Sequence, residues 1–276
     1  MNGQERRFLI GLARAFGGAI IFVLPMLLTM EMWWLGFYLN RWHLILLMIL
    51  NIPLLIGLSH YSGFEATFEL KEDALDAFVA YAVAFVTASI VLILIGAVNN
   101  GMALDEVIGK ITIQTIPGSI GALLAQSQFG GSNEVEDSEE TETGNHPGYL
   151  GTMFLMVIGA LVLGLNVAPT EEVILIAFQI TKWHAVILAV LSIAAMHAFV
   201  YVVRFQGQEP VLEETPTGST FLRFTIVGYV LVLLVSLYLL WTFERTISTP
   251  LDRIVVMGIV LGFPGSIGAA AARLIL

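Results

Sequence analysis

Eight blocks of apolar residues, each about as long as a bilayer core is thick, constrain this chain more than any other feature. A helix needs about 20 consecutive apolar residues to cross the hydrocarbon core. Only 12% of the residues are charged, against about one-quarter in a soluble domain. The sequence therefore predicts an all-α, polytopic transmembrane helix bundle of about eight spans. The blocks lie at about 8–28, 43–63, 77–98, 105–127, 148–168, 184–204, 222–243 and 252–276.

Two shorter apolar pieces, at 31–39 and 172–180, follow the first and the fifth block. Neither is long enough to cross a bilayer alone. Each piece either extends the preceding helix beyond a kink or forms a short helix that lies at the interface or dips into the membrane.

The two halves of the chain are similar to each other. The sequence Pro-Gly-Ser-Ile-Gly-Ala occurs at 117–122 and again at 264–269, 147 residues later, whereas Glu31 and Glu172 lie 141 residues apart. A six-residue difference in one loop, 64–76 against 205–223, explains both offsets. This pattern predicts a duplicated chain.

The duplication suggests a first transmembrane repeat at 1–129, an acidic flexible linker at 130–147 and a second repeat at 148–276. Four spans per repeat is an even number, so the repeats are expected to share one orientation about a pseudo-two-fold axis along the membrane normal. If the short pieces form separate spans, the count per half becomes odd and the repeats invert.

Matched carboxylates are the first candidates for chemistry. Glu31 and Glu172 each follow a threonine, Thr29 or Thr170, by two residues, and Glu171 is an extra acid of the second copy. An acid inside a span is a functional candidate by default, and paired acids suit a hard cation or a proton. The alternative is that the threonines are N-caps and the acids lie in the first turn of short helices at the headgroups.

Two further pairs of residues are weaker candidates. Ser119 and Ser266 lie in the repeated proline-glycine segments, where freed carbonyls and the hydroxyl could coordinate a cation, or the segment is a tightly packed kink. His43 and His184 each follow a tryptophan. They could relay protons, or the Trp-His pairs anchor the chain at the membrane interface.

Several classes of protein are excluded or unsupported. The chain has no cysteine, and it contains no nucleophile elbow, P-loop, paired-histidine zinc motif or dinucleotide fingerprint in a suitable context. Basic residues are too sparse for a nucleic-acid partner. We expect no enzymatic activity and no cofactor, and leave the identity of any metal open. The expected partners are the lipid bilayer, a small cation or proton, and a second copy of the chain in a homo-oligomer.

The distribution of Lys and Arg indicates the orientation of the chain. With the N-terminus inside, seven of these residues lie on the cytoplasmic side and five on the opposite side, in the direction of the positive-inside rule. The sequence therefore predicts a multi-pass protein of the cell membrane with both termini in the cytoplasm.

The length, the acidic central linker and the repeated Pro-Gly-Ser-Ile-Gly-Ala segments resemble a family of bacterial integral membrane proteins known only as a domain of unknown function. The resemblance covers nearly the whole chain and implies membrane location without an activity. The duplicated acids are also similar to those of the cation/calcium exchangers. The exchanger pattern is not reproduced, because Thr170 stands between Pro169 and the acids, and this leaves the ion open.

These observations favour a transporter or channel for a small cation, in which Glu31 and Glu172 bind the ion or a proton. The alternative is a membrane scaffold or partner subunit that transports nothing and whose repeats serve packing only. An intramembrane enzyme would need a nucleophile or a metal triad at one depth, which the sequence does not show.

Overall fold

The computed structural model describes residues 3–62, 70–130, 148–201 and 221–275. Within these ranges every regular element is a helix. The chain divides into two compact units, residues 1–146 and 147–276. The predicted acidic linker at 130–147 lies outside the described residues except for Gly130, so its flexibility stays a prediction.

The first unit has five helices, of which the second is short. They are α1 (Gly3–Leu27), α2 (Met30–Tyr38), α3 (Arg41–Ser62), α4 (Leu70–Leu94) and α5 (Leu104–Gly130).

The second unit has the same order of long and short helices, with a π-helical turn, Phe221–Ile226, at the start of its fourth long segment. Its α-helices are α6 (Tyr149–Val167), α7 (Glu172–Gln179), α8 (Lys182–Tyr201), α9 (Val227–Thr242) and α10 (Leu251–Ile275).

Eight helical segments in the described part of the chain are long and apolar enough to cross a membrane, which confirms the predicted number of spans. The short helices α2 and α7 are not among them. The segments are Leu9–Leu27, Arg41–His60, Leu70–Leu94, Leu104–Ala125, Tyr149–Val167, Lys182–Phe199, Phe221–Thr242 and Leu251–Arg273.

One helix forms the centre of each unit. In the first unit 83% of the α5 span is buried, whereas the α3 span is only 33% buried. In the second unit α10 is 61% buried and α8 only 17%. The outer helices expose apolar side chains, as contact with lipid requires.

Glycines bring α1 and α5 of the first unit into backbone contact. A Cβ atom added to Gly18 would overlap the Gly121 carbonyl, and one added to Gly121 would overlap the Gly18 carbonyl. Gly118 packs against Val23 of α1 and Ala84 of α4. Small residues allow this close approach. In lipid the hydrophobic effect does not drive helices together, so close packing stabilises their association instead.

The second unit uses a similar contact between α6 and α10. A Cβ atom on Gly159 would overlap the Gly268 carbonyl, and the reverse also holds. Both central helices continue through their prolines, Pro117 and Pro264. The repeated Pro-Gly-Ser-Ile-Gly-Ala segment therefore acts in close packing and does not break the helix.

Candidate functional site

The helix break of the first unit lies between α1 and α2. Pro25 has no backbone N–H to donate to the preceding turn, and Thr29 has an extended backbone with φ −97° and ψ 119°, so the helix ends at Leu27 and restarts at Met30. The sequence left open whether the short piece extends the helix or lies at the interface.

Contacts with α5 show the course of the chain through this break. Gly18 of α1 packs at Gly121, and the Met26 carbonyl accepts a hydrogen bond of 3.3 Å from Gln114 Nε2. Gly36 of α2 then packs against Lys110. The partner positions on α5 fall steadily from 121 to 110, so α1 and α2 run along α5 in one direction as a single broken helix.

This course places the break beside the middle of α5. Gln114 is ten residues after Leu104, the first residue of the 22-residue α5 segment, which corresponds to about 15 Å along the helix axis. The same break ends the apolar α1 segment, Leu9–Leu27.

Side chains donate to three carbonyl groups at the end of α1, of which the Met26 carbonyl also accepts from the Thr29 N–H at 3.1 Å. Trp33 Nε1 donates to the Leu27 carbonyl at 2.8 Å, and Gln114 Nε2 donates to the Met26 carbonyl. The Thr29 hydroxyl donates backward to the Pro25 carbonyl. Thr29 occupies the N-cap position of α2, as the alternative interpretation expected, but its side chain makes no capping bond to α2 and bonds to the last turn of α1 instead.

Glu31 lies in the first turn of α2 and is partly buried. Among the described residues its carboxylate has neither a hydrogen bond nor an ion pair. Thr29 is close in sequence, but its hydroxyl hydrogen is already used by Pro25. The first unit thus holds an acid that has no partner in the described part of the chain, at a helix break beside the middle of α5.

The other charged residues at this end of the first unit are paired. Lys110 is buried, and its Nζ lies 2.6 Å from the Glu106 carboxylate and 3.2 Å from the Ala97 carbonyl. Arg41 donates to the Gly36 carbonyl at 3.1 Å and lies 3.6 Å from Asp105.

The second unit has a break between α6 and α7, and Arg245 donates to the Pro169 carbonyl there. Arg253 Nη1 donates to the Ala177 carbonyl near the end of α7 at 2.9 Å. Glu171 and Glu172 are exposed on this unit.

Thr170 is not the N-cap of α7, so the alternative interpretation is wrong for this residue. The residue before α7 is Glu171, and it makes no side-chain capping bond. The Thr170 hydroxyl and N–H both donate to the Val167 carbonyl, at 2.8 and 3.1 Å. As with Thr29, the hydroxyl bonds back to the preceding helix.

The two serines use their hydroxyl hydrogens within their own helices. Ser119 Oγ donates to the Ile116 carbonyl at 2.7 Å and accepts from Asn51 Nδ2 at 2.9 Å. Ser266 Oγ donates to the Phe263 carbonyl at 2.8 Å. Ser119 lies five residues, about 7 Å, beyond Gln114 along α5. No contact joins it to the break, and its role as a cation ligand stays a prediction.

The histidines lie at the start of the helices that follow the breaks. His184 Nδ1 lies 2.7 Å from the Thr181 hydroxyl and is exposed. His43 is partly buried near the start of α3. This location suits the interface interpretation, and the proton relay stays a prediction.

Sequence reasoning assigned no role at the breaks to Gln114, Lys110, Trp33 and Arg245. Gln114 and Lys110 stood out only as polar residues inside an apolar block. A polar side chain on the buried face of a membrane-spanning helix needs a hydrogen-bond or ion-pair partner. The polarity of Gln114 and Lys110 could therefore have marked both residues as candidates. Their partners are distant in sequence, however, and no local spacing predicts them.

Eight apolar helices with an internal polar break define this chain as a polytopic α-helical integral membrane protein. It belongs to a family of unknown function described as putative integral membrane proteins, which matches residues 11–276. This confirms the resemblance drawn from the sequence. No curated protein and no solved structure matches the chain.

Proposed function

We propose that this protein is a transporter or channel for a small cation, coupled to or carrying protons, and that Glu31 and Glu172 bind the ion or the proton. The observation that carries the proposal is Glu31, an acid without an ion-pair partner among the described residues, at a helix break beside the middle of α5, which we place inside the membrane. An ionised side chain at that depth costs roughly 2.5–3.5 kcal/mol on insertion scales. Such a cost is typical of ion and proton pathways, where broken helices hold the substrate.

The duplication of the chain is part of the same proposal. Gly18 and Gly121 correspond to Gly159 and Gly268 by the sequence offsets of 141 and 147, and both pairs are backbone contacts. The order of long and short helices also agrees between the units. These agreements support an internal repeat, and the pseudo-two-fold axis follows from it.

The number of crossings supports the proposed orientation. If α1 and α2 cross together as one broken helix, each unit crosses the membrane four times and returns the chain to its starting side. We propose that both termini lie in the cytoplasm and that the protein resides in the cell membrane as a homo-oligomer. In this proposal it is a transport protein and not an enzyme.

Ion flux into proteoliposomes tests the proposal. Purified protein is reconstituted, and uptake of Na⁺, K⁺, Ca²⁺ and H⁺ is measured separately for the wild type and for the Glu31→Gln/Glu172→Gln double variant. We expect the wild type to move at least one of these ions and the double variant to lose that flux at least tenfold, a difference of about 1.4 kcal/mol or more.

Asp252→Asn is the matched control, because Asp252 is an exposed acid in the first turn of α10. Its flux should equal that of the wild type. Unchanged flux in the double variant would show that the carboxylates are not the site. A wild type that moves none of the four ions would favour the membrane scaffold.

A further inference from the structure

Gln114 has a buried oxygen atom without a partner. The residue is 0% exposed, and within the described part of the chain its Oε1 accepts no hydrogen bond. Buried polar atoms are nearly always satisfied by protein, by water or by an ion. Six buried side-chain atoms in the described residues lack a partner, and Gln114 Oε1 is the one in the first unit, so it is free to take a ligand from outside the protein.

The orientation of the Gln114 amide is fixed by its other contact. The Met26 carbonyl can only accept, so the atom that lies 3.3 Å from it must be Nε2, the donor. Oε1 is therefore the free atom. Because the amide is bonded to the end of α1, Oε1 lies within a few ångströms of the break that holds Glu31.

The charges around this break leave a single negative charge uncompensated. Lys110 is paired with Glu106, and Arg41 with Asp105. Glu31 is the remaining charge. One monovalent cation would neutralise it, whereas Ca²⁺ takes six to eight oxygen ligands with several carboxylates. The described residues contain no group of three or more acids, histidines or cysteines that could hold a metal ion.

The second unit differs at the corresponding positions. The offset of 147 places Leu261 opposite Gln114, so the central helix of the second unit has no amide there. The second unit's own buried amide oxygen without a described partner, Asn166 Oδ1, lies on α6 at the end that Arg245 contacts. Its break carbonyl at Pro169 already accepts from the Arg245 guanidinium. At the second break the donor is thus the charged guanidinium of Arg245, whereas at the first break the donors are the neutral side chains of Gln114 and Trp33.

We propose that the first unit alone binds a monovalent cation at the α1–α2 break, with Gln114 Oε1 as its neutral oxygen ligand and Glu31 as its charged ligand. This inference rests on the proposed function and assigns the ion site to the first unit only. Glu31 is the ion site, whereas at the break near Glu172 the Arg245 guanidinium donates to the Pro169 carbonyl.

Thermal stabilisation by the ion alone tests this binding without any transport. Full-length protein in detergent is melted in increasing NaCl or KCl, with N-methyl-D-glucamine chloride keeping the ionic strength constant. A ligand that binds only the folded state raises the melting temperature in a saturable way. We expect Na⁺ or K⁺ to do so for the wild type and for Glu172→Gln, but not for Glu31→Gln.

Exchange of residues between the units provides matched variants. Gln114→Leu, which introduces the residue of the second unit, should raise the apparent Kd at least tenfold, whereas Leu261→Gln should leave it unchanged. Gln114→Glu should restore binding, since a protonated glutamic acid can donate to Met26 and still present an oxygen. The rescue also shows that loss in Gln114→Leu is not a failure to fold.

Three results would overturn the inference. Either Gln114→Leu binds Na⁺ and K⁺ as tightly as the wild type, or Glu172→Gln loses binding as fully as Glu31→Gln does. A wild type that is not stabilised by either ion also contradicts it, since a resident water would then satisfy Gln114. If binding is asymmetric but no ion is transported, the inference stands and the proposed function fails.

Discussion

Lys110 and Glu106 form an ion pair one helical turn apart on α5, and the two side chains differ in exposure. The Lys110 side chain is 8% exposed and the Glu106 side chain 21%. An unpaired charge lowers the stability of the folded protein more where the charged group is less exposed to water. Removing either partner should therefore have unequal consequences.

Glu106→Leu is expected to destabilise the protein by roughly 2–4 kcal/mol, because it leaves the buried ammonium group of Lys110 without its partner. Lys110→Met should cost less, about 1 kcal/mol, because water can reach the remaining carboxylate. Thermal unfolding of both variants in the same detergent measures the order. A larger loss for Lys110→Met would contradict the described burial.

Trp33 and Trp34 are neighbours with different roles. The Trp33 indole donates to the Leu27 carbonyl at the break, whereas Trp34 is 58% exposed. Trp33→Phe should destabilise the protein by about 1–2 kcal/mol, since a buried carbonyl loses its donor. Trp34→Phe should have almost no effect. Equal melting temperatures for the two variants would show that the indole hydrogen bond does not support the break.

Individual contacts at the break could not be predicted from the sequence. The partner of Gln114 is 88 residues away, and periodicity carries no information about such pairs. Thr29 was expected to cap α2 because threonine often precedes a helix. The Thr29 hydroxyl donates to the Pro25 carbonyl instead, because that carbonyl belongs to the last turn of α1, directly before Thr29.

At the scale of helices, Gly17 and Gly18 allow a direct test of the α1–α5 contact. Nothing lies within 4 Å of a Cβ atom added to Gly17, whereas one added to Gly18 overlaps the Gly121 carbonyl. Gly18→Val should lower stability by about 1–3 kcal/mol, as overpacking does. Gly17→Val should not lower it, because its side chain meets open space. Similar losses in both variants, measured by thermal unfolding, would contradict the packing.

The helices themselves were largely predictable. Eight apolar blocks of sufficient length predicted the eight spans, since spanning helices need only length and hydrophobicity. The position of α2 along α5 was not predictable, because the same nine residues suit an interface or a break. The contacts from Gly36 to Lys110 and from Met26 to Gln114 place it beside the first half of α5. Pro117 predicted a kink or a break, and packing of Gly118 and Gly121 keeps the helix continuous.

At the scale of the whole molecule, the absence of cysteine makes topology measurable. Any introduced cysteine is the single thiol of the chain. If each unit crosses four times, Asn2→Cys and Ser138→Cys should react with a membrane-impermeant maleimide from the same side. Asn100→Cys, in the exposed connection between α4 and α5, should react from the opposite side. Labelling of Asn2 and Ser138 from opposite sides would mean an odd number of crossings.

The depth of the α1–α2 break is the most direct test of the account. Met30→Cys and Trp42→Cys each carry a nitroxide label at a position that is exposed in the native chain, 60% and 76% respectively. The accessibility of each label to oxygen relative to a water-soluble nickel complex, measured in vesicles, gives the depth of that label in the membrane. The account predicts that the label at Met30 lies about 10 Å deeper than the label at Trp42. Equal depths at the headgroups would contradict it, since Glu31 would then lie at the membrane surface.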